Sequence, residues 1–98
     1  DERLKDLDGE IVDATTKVSA LRAVYYSWKN DAEKKRKVGL IAQDVLAVLP
    51  EAVDVPEQET REDGALNYLG LGMSDVVPLL VAAIKELKAE VDILKGSK

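Results

Sequence analysis

Ser19, Ser27, Ser74 and Ser97 are the candidate nucleophiles of a sequence that contains neither cysteine nor histidine. A serine hydroxyl must give up its proton to a base, and histidine is the usual one. Here a neutral lysine or a carboxylate would have to serve, and none of these serines stands beside a lysine at a recognisable spacing. The 19 acidic residues offer carboxylate pairs, but nothing in their spacing sets two of them across a cleft. As a calcium loop beginning at Asp54, the acidic stretch fails: glycine belongs near the sixth position and glutamate at the twelfth, where this chain has Gly64 eleventh and Ala65 twelfth. Gly70-Leu71-Gly72 is half of a phosphate-binding motif without its third glycine or a surrounding βαβ unit. Lys34-Lys35-Arg36-Lys37 could meet polyphosphate, yet the net charge is -5 and the run falls between two strand-like segments, as a solvated loop would. No metal, cofactor or nucleic acid is expected, and surface acidity accounts for the carboxylates.

The elements that would position such groups follow from length and periodicity. A chain of 98 residues has room for one core, and 46% hydrophobic with 34% charged residues is a globular balance. No run approaches eighteen uncharged apolar residues and Asp1-Glu2-Arg3 is too polar to open a signal peptide, so neither membrane spanning nor classical export is expected. Asp8-Gly9 interrupts Leu4, Leu7 and Ile11, giving an irregular entry. Asp13 is placed to cap a short helix through Ala14, Val18 and Leu21. Val24, Tyr26 and Trp28 alternate as a strand, residues 30–36 make a loop, and residues 38–40 return, with Gly39 marking close packing. Ile41, Val45 and Leu49 line a helix that Pro50 ends. Residues 52–55 and 65–68 read as a second hairpin. Trp28, Tyr26, Val45 and Leu49 are expected to pack together.

The clearest pattern is Val77, Leu80, Ile84, Leu87, Val91 and Leu94, which recur at alternating spacings of three and four. That is a heptad seam, with Glu90 and Lys95 at flanking positions that pair across helices. Ser74 or Asp75 can cap it, Pro78 fits its first turn and Gly96 stops it. A small domain has a thin core, which partner subunits would relieve. β-branched residues at a with leucine at d favour two strands, while Val81 and Ala83 widen the apolar face, so spacing alone leaves the number of strands open. The expected architecture is α+β: one domain over 1–98, with a body of short hairpins and helices over 1–73 and an oligomerisation helix over 74–95.

One order of motifs runs nearly end to end: Asp1-Glu2-Arg3-Leu4-Lys5, Tyr26-Ser27-Trp28-Lys29, Val38-Gly39-Leu40-Ile41-Ala42-Gln43-Asp44-Val45, Leu49-Pro50-Glu51, Leu66-Asn67-Tyr68 and Ala83-Ile84-Lys85-Glu86-Leu87. It resembles the intramolecular chaperone auto-processing domain at the C-terminus of phage endosialidases, tailspikes and tail fibres. Gly39 to Gln43 with Pro50, and the opening Asp-x-Arg-x-Lys, are its most specific parts.

The resemblance implies a homotrimer whose C-terminal helices form a trimeric coiled coil through Val77, Leu80, Ile84, Leu87, Val91 and Leu94. It implies as partner an upstream β-structured tailspike or tail fibre domain of the same precursor, helped to trimerise and fold in the host cytoplasm during virion assembly. It further implies self-cleavage by a Ser-Lys dyad, with serine just before Asp1, the cleavage site, and Lys5 as base. On that pattern the chain looks like the released product. To accept a proton Lys5 must be neutral, which needs burial or cationic neighbours such as Arg3. Attack by the serine on its own carbonyl would close a strained four-membered ring, so attack across subunits or in a specially shaped site is expected, and assembly would gate it. A permanent structural trimerisation cap without proteolysis is the alternative; a hydrolase of outside substrates is a third, weaker one.

Overall fold

Two apolar stripes one residue out of phase shape this fold, because one is buried within the chain and the other is left outside. The computed structural model describes residues 1–57 and 68–96, so Ser97, Gly64 and residues 65–67 of the expected second hairpin lie outside the described residues. After a 3-10 turn at Glu2–Leu4 and an irregular stretch come helix α1 (Ala14–Ser19), strands β1 (Ala23–Tyr26) and β2 (Lys37–Leu40), and helix α2 (Ala42–Val48). A 3-10 turn at Pro50–Ala52 leads into β3 (Val53–Asp54); then follow β4 (Gly70–Leu71), a 3-10 turn at Met73–Val76 and the long helix α3 (Val77–Gly96). The chain is α+β, with two small antiparallel sheets.

The first hairpin pairs Ala23 with Leu40 and Tyr26 with Lys37. Gly39 is needed there: a Cβ would stand 3.0 Å from the Tyr26 ring, tighter than ordinary contact, so the close packing read from the sequence is present. In the second sheet Val53 pairs with Leu71 and Asp54 with Gly70, so the described partner strand lies beyond Tyr68. The glycines read as half a phosphate motif thus belong to this sheet, and the Gly72 amide donates to the Ala52 carbonyl at 2.8 Å.

The core joins Val45 of α2, Leu49 just after it, Ala52 and Val53, and Ala14 of α1 to Val76, Leu79 and Ala83. Leu79 is fully buried, which contributes about 1.5–3 kcal/mol. Val76, Leu79 and Ala83 step by three and four, and Glu86 continues the stripe by three more. Beyond Glu86 every described residue of α3 is exposed. A helix of 20 residues is about 30 Å long, so its second half stands clear of the body. The radius of gyration, 17.8 Å, exceeds the roughly 13 Å of a compact chain this size, as that projection requires.

Several expectations are corrected. Asp13 does not cap α1 through its side chain; it takes a left-handed conformation at φ 55°. Ser74 and Asp75 lie within the 3-10 turn that precedes α3, and it is this turn that Gly72 caps at its N-terminal end. Trp28 lies outside β1 and outside the core, 56% exposed, with its ring edge-to-face against Tyr26 at 5.2 Å. The alternation of Val24, Tyr26 and Trp28 was a true strand signal, but it is Leu40, at the end of β2, that packs against the core, while Trp28 stays exposed.

Candidate functional site

The N-terminal segment is organised by its own side chains. Asp1 accepts the Arg3 amide at 2.9 Å and grips its guanidinium, with Nη2 to Oδ2 at 2.6 Å. This local loop of charge caps the Glu2–Leu4 turn, and the Lys5 amide closes it on the Glu2 carbonyl at 3.1 Å. Lys5 is exposed, and Arg3, the cation closest in sequence, has its charge engaged by Asp1. Asp1 and Lys5 are therefore held in one short turn, open to solvent within a single chain. Ser19, Ser27 and Ser74 are likewise exposed; the Ser19 hydroxyl donates to the Thr16 carbonyl at 2.7 Å.

The helix seam is brought onto one surface. Val77, Leu80, Ile84, Leu87, Val91 and Leu94 are between 40% and 72% exposed. Heptad spacing explains why they align: residues three and four apart are neighbours on a helix. Polar core-facing contacts do not consume them, because the buried stripe uses the adjacent positions Val76, Leu79, Ala83 and Glu86. Outside that stripe, Lys88 and Asp92 form an exposed i,i+4 ion pair at 2.7 Å.

Glu86 was not singled out by its sequence context. Its carboxylate accepts the Ala14 amide at 2.7 Å, the Thr15 amide at 3.2 Å and the Thr15 hydroxyl at 3.0 Å. It thereby supplies the cap that Asp13 does not, satisfying donors at the start of α1 that the helix itself leaves open. Hydrogen bonds from the Ala14 and Thr15 amides hold the Glu86 pKa below the ordinary carboxylate value. A signal was present: Glu86 continues the 3-4-3 spacing of Val76, Leu79 and Ala83 where an apolar residue would be expected. Beside it, Glu10 and Ile11 lie along Pro78, Val81, Ala82 and Lys85, leaving an open groove of about 420 Å³.

A second anchor ties the hairpin to α2. Arg22 meets Asp44 in a forked pair, Nε to Oδ2 at 2.8 Å and Nη2 to Oδ1 at 3.1 Å, and the Arg22 amide donates to Oδ2 at 3.2 Å. The Arg22 guanidinium lowers the Asp44 pKa, chiefly through these side-chain hydrogen bonds. The basic run is engaged locally: Lys34 Nζ donates to the Trp28 and Lys29 carbonyls, and the Arg36 guanidinium stacks 3.6 Å from the centre of the Tyr25 ring. Among the described residues no group of three or more acidic side chains is placed to hold a metal ion, and no helix is long and apolar enough to cross a membrane.

A small α+β body carries a projecting helix with an unburied apolar seam and, at the other end of the chain, a solvent-facing turn. The family model described as chaperone of endosialidase matches residues 1–54, and the chain belongs to that family. The match takes in the Asp1–Lys5 turn, the first hairpin and α2. The chain is also 39% identical over 86 residues to the long tail fiber protein Gp37 of Enterobacteria phage M1, and equally to that of Enterobacteria phage Ox2. Each alignment covers 84% of this chain and 32% of the relative, so the chain spans about a third of the length of those fibre proteins.

Proposed function

We propose that the chain is a C-terminal intramolecular chaperone that promotes trimerisation and folding of a preceding phage tail fibre or tailspike domain. The observation that carries this reading is the exposed seam from Val77 to Leu94. Six large apolar residues in one stripe are costly to leave in water, at roughly 25 cal/mol per Å². A parallel bundle of three copies of α3 buries them, and family membership together with the likeness to two long tail fibre proteins favours that occupant over an unrelated partner. The bundle would bring three upstream chains into register at one end, which removes the slow search that long, non-local β-structures otherwise face. The work takes place in the host cytoplasm as virions assemble.

Release is the second half of the proposal. In a precursor with serine before Asp1, the serine hydroxyl passes its proton to neutral Lys5 Nζ while Oγ bonds to the carbonyl carbon preceding Asp1. The C–N bond breaks, the Asp1 nitrogen takes the proton, and water hydrolyses the resulting ester to restore the serine. A strained ring within one chain is avoided when the serine of one protomer attacks the bond of another. Lys5 is exposed in a single chain, so the dyad is completed only when assembly brings a second protomer to it.

Sedimentation of the isolated chain tests the first half; a monomer at all accessible concentrations would end it. Denaturing gels of the precursor test the second. Loss of a fragment whose first residue is Asp1 after assembly supports release, whereas a permanent structural cap leaves the full mass in the particle.

A further inference from the structure

We infer that Glu86 is a positioning residue for this self-cleavage: its clamp on Ala14 and Thr15 ties the assembling helix α3 to the segment that carries Asp1 and Lys5. The inference rests on the release function proposed above and names the residue through which assembly reaches the cut.

The seam and the clamp share one rigid element. Glu86 lies between Ala83, which is buried against the body, and Leu87, which faces outward on the seam. A bundle that fixes Leu87 therefore fixes the Glu86 backbone beside it. The carboxylate carries that placement across to α1 through three hydrogen bonds of 2.7–3.2 Å. Asp13 makes no side-chain cap bond and holds a left-handed backbone, a conformation that persists in a non-glycine residue where the surroundings enforce it. The residue that follows it, Ala14, is the one Glu86 holds.

The consequence for Lys5 is one of reach. Ile11 is the first residue of the chain packed against the core, and Ala14, fully buried, is the first clamped by Glu86. Six residue steps separate Lys5 from Ile11, which confines the lysine to about 20 Å of that anchor. If loss of the clamp frees the start of α1 and Ile11 with it, the next half-buried apolar anchor is Val18, thirteen steps away, and the limit rises to about 45 Å. Local concentration of a tethered group falls roughly as the −3/2 power of tether length, so the lysine's encounter with the serine becomes about threefold rarer. Orientation adds to that loss, since a general base works only within hydrogen-bond reach of its proton.

The test uses the full precursor with serine before Asp1, its wild type and three variants: Glu86→Ala, Glu86→Gln and Thr15→Val. Trimer is measured by sedimentation, cutting rate per intact trimer by mass spectrometry, and amide exchange at Ala14 and Thr15 by NMR. The expected result is a trimer in every case, a rate at least threefold lower with faster exchange for Glu86→Ala, and partial recovery for Glu86→Gln, which keeps one acceptor oxygen. A merely structural role would lower the melting temperature and leave the rate per trimer unchanged, and that result overturns the inference while the release function stands. If Glu86→Ala loses the trimer, Thr15→Val decides: slower cutting in intact trimers supports the coupling and wild-type cutting refutes it. A wild-type precursor that trimerises and is never cut refutes the release function itself, and the role of Glu86 falls with it.

Discussion

The Glu86 carboxylate and the Ala14 amide, 72 positions apart in the chain, meet at 2.7 Å and fasten the terminal helix to the first helix. The bond crosses the route between the N-terminal turn and the projecting seam. Its strength has an electrostatic signature, because backbone donors favour the charged carboxylate.

That signature predicts an acid dependence. The Ala14 and Thr15 amides, with Lys17 nearby, lower the Glu86 pKa, and Arg22 lowers that of Asp44. Both groups contribute stability that is present above their unfolded values, about 4.3 for Glu and 3.9 for Asp, and is lost as pH falls through the lower folded values. The unfolded chain binds more protons in that window, so stability falls with acid. Melting temperatures measured from about pH 6 down to about pH 3 should decline, and Glu86→Gln should melt lower at pH 6 with a shallower decline. An identical slope in Glu86→Gln would remove Glu86 from this linkage.

Leu79 and Leu80 are adjacent in sequence and face different surroundings. Leu79 is fully buried and Leu80 is 40% exposed. Leu79→Ala should destabilise the protomer by about 2–5 kcal/mol, read from denaturant unfolding. Leu80→Ala should leave the unassembled protomer nearly unchanged and weaken association. Replacing Ile84 and Leu87 together with serine should dissociate the assembly, at roughly 2–5 kcal/mol for each apolar side chain that the bundle buries. A fully assembled double variant would move the interface away from this seam.

How far the sequence foretold these features depends on where each signal resides. The outer seam was legible because Leu80, Ile84 and Leu87 are large and recur at three and four. The inner stripe shares that spacing, but small Ala83 and acidic Glu86 hide it, and the amides that explain Glu86 lie in a distant helix. Arg22 and Asp44 gave no local sign of pairing across 22 positions. Gly70 gave no sign of its place in the second sheet because it lacks the branched side chain that marks a strand, although its pairing with Asp54 uses only backbone. Trp28 misled for the opposite reason: alternation of large residues indicates a strand but does not say whether its apolar face meets a core.

Trp28 accordingly yields a revised expectation. It is 56% exposed, and its ring stands edge-to-face against the Tyr26 ring at 5.2 Å. An edge-to-face pair contributes about 0.5–1.5 kcal/mol, so Trp28→Ala should cost the unassembled protomer about that much, well below the 3–5 kcal/mol of a buried aromatic. Fluorescence emission from the unassembled protomer should be red-shifted, as from a tryptophan in water. A blue-shifted band would place the ring in an apolar environment and reject this arrangement.

Lys5 offers the sharpest separation of chemistry from assembly. It is exposed, in a turn closed by backbone and by the Asp1–Arg3 pair, so its side chain holds no part of the core together. In a precursor with serine before Asp1, Lys5→Ala should abolish cutting and leave the assembled fraction unchanged. Lys5→Arg preserves the charge but not the function, because a guanidinium remains protonated at neutral pH and cannot accept the serine proton. Mass spectrometry of the products and sedimentation of the uncut precursor read the two properties independently. Normal release of a fragment beginning at Asp1 from both variants would exclude Lys5 as the base. Cutting lost only together with assembly would make it an assembly residue, and cutting lost in an intact trimer is the result that the dyad requires.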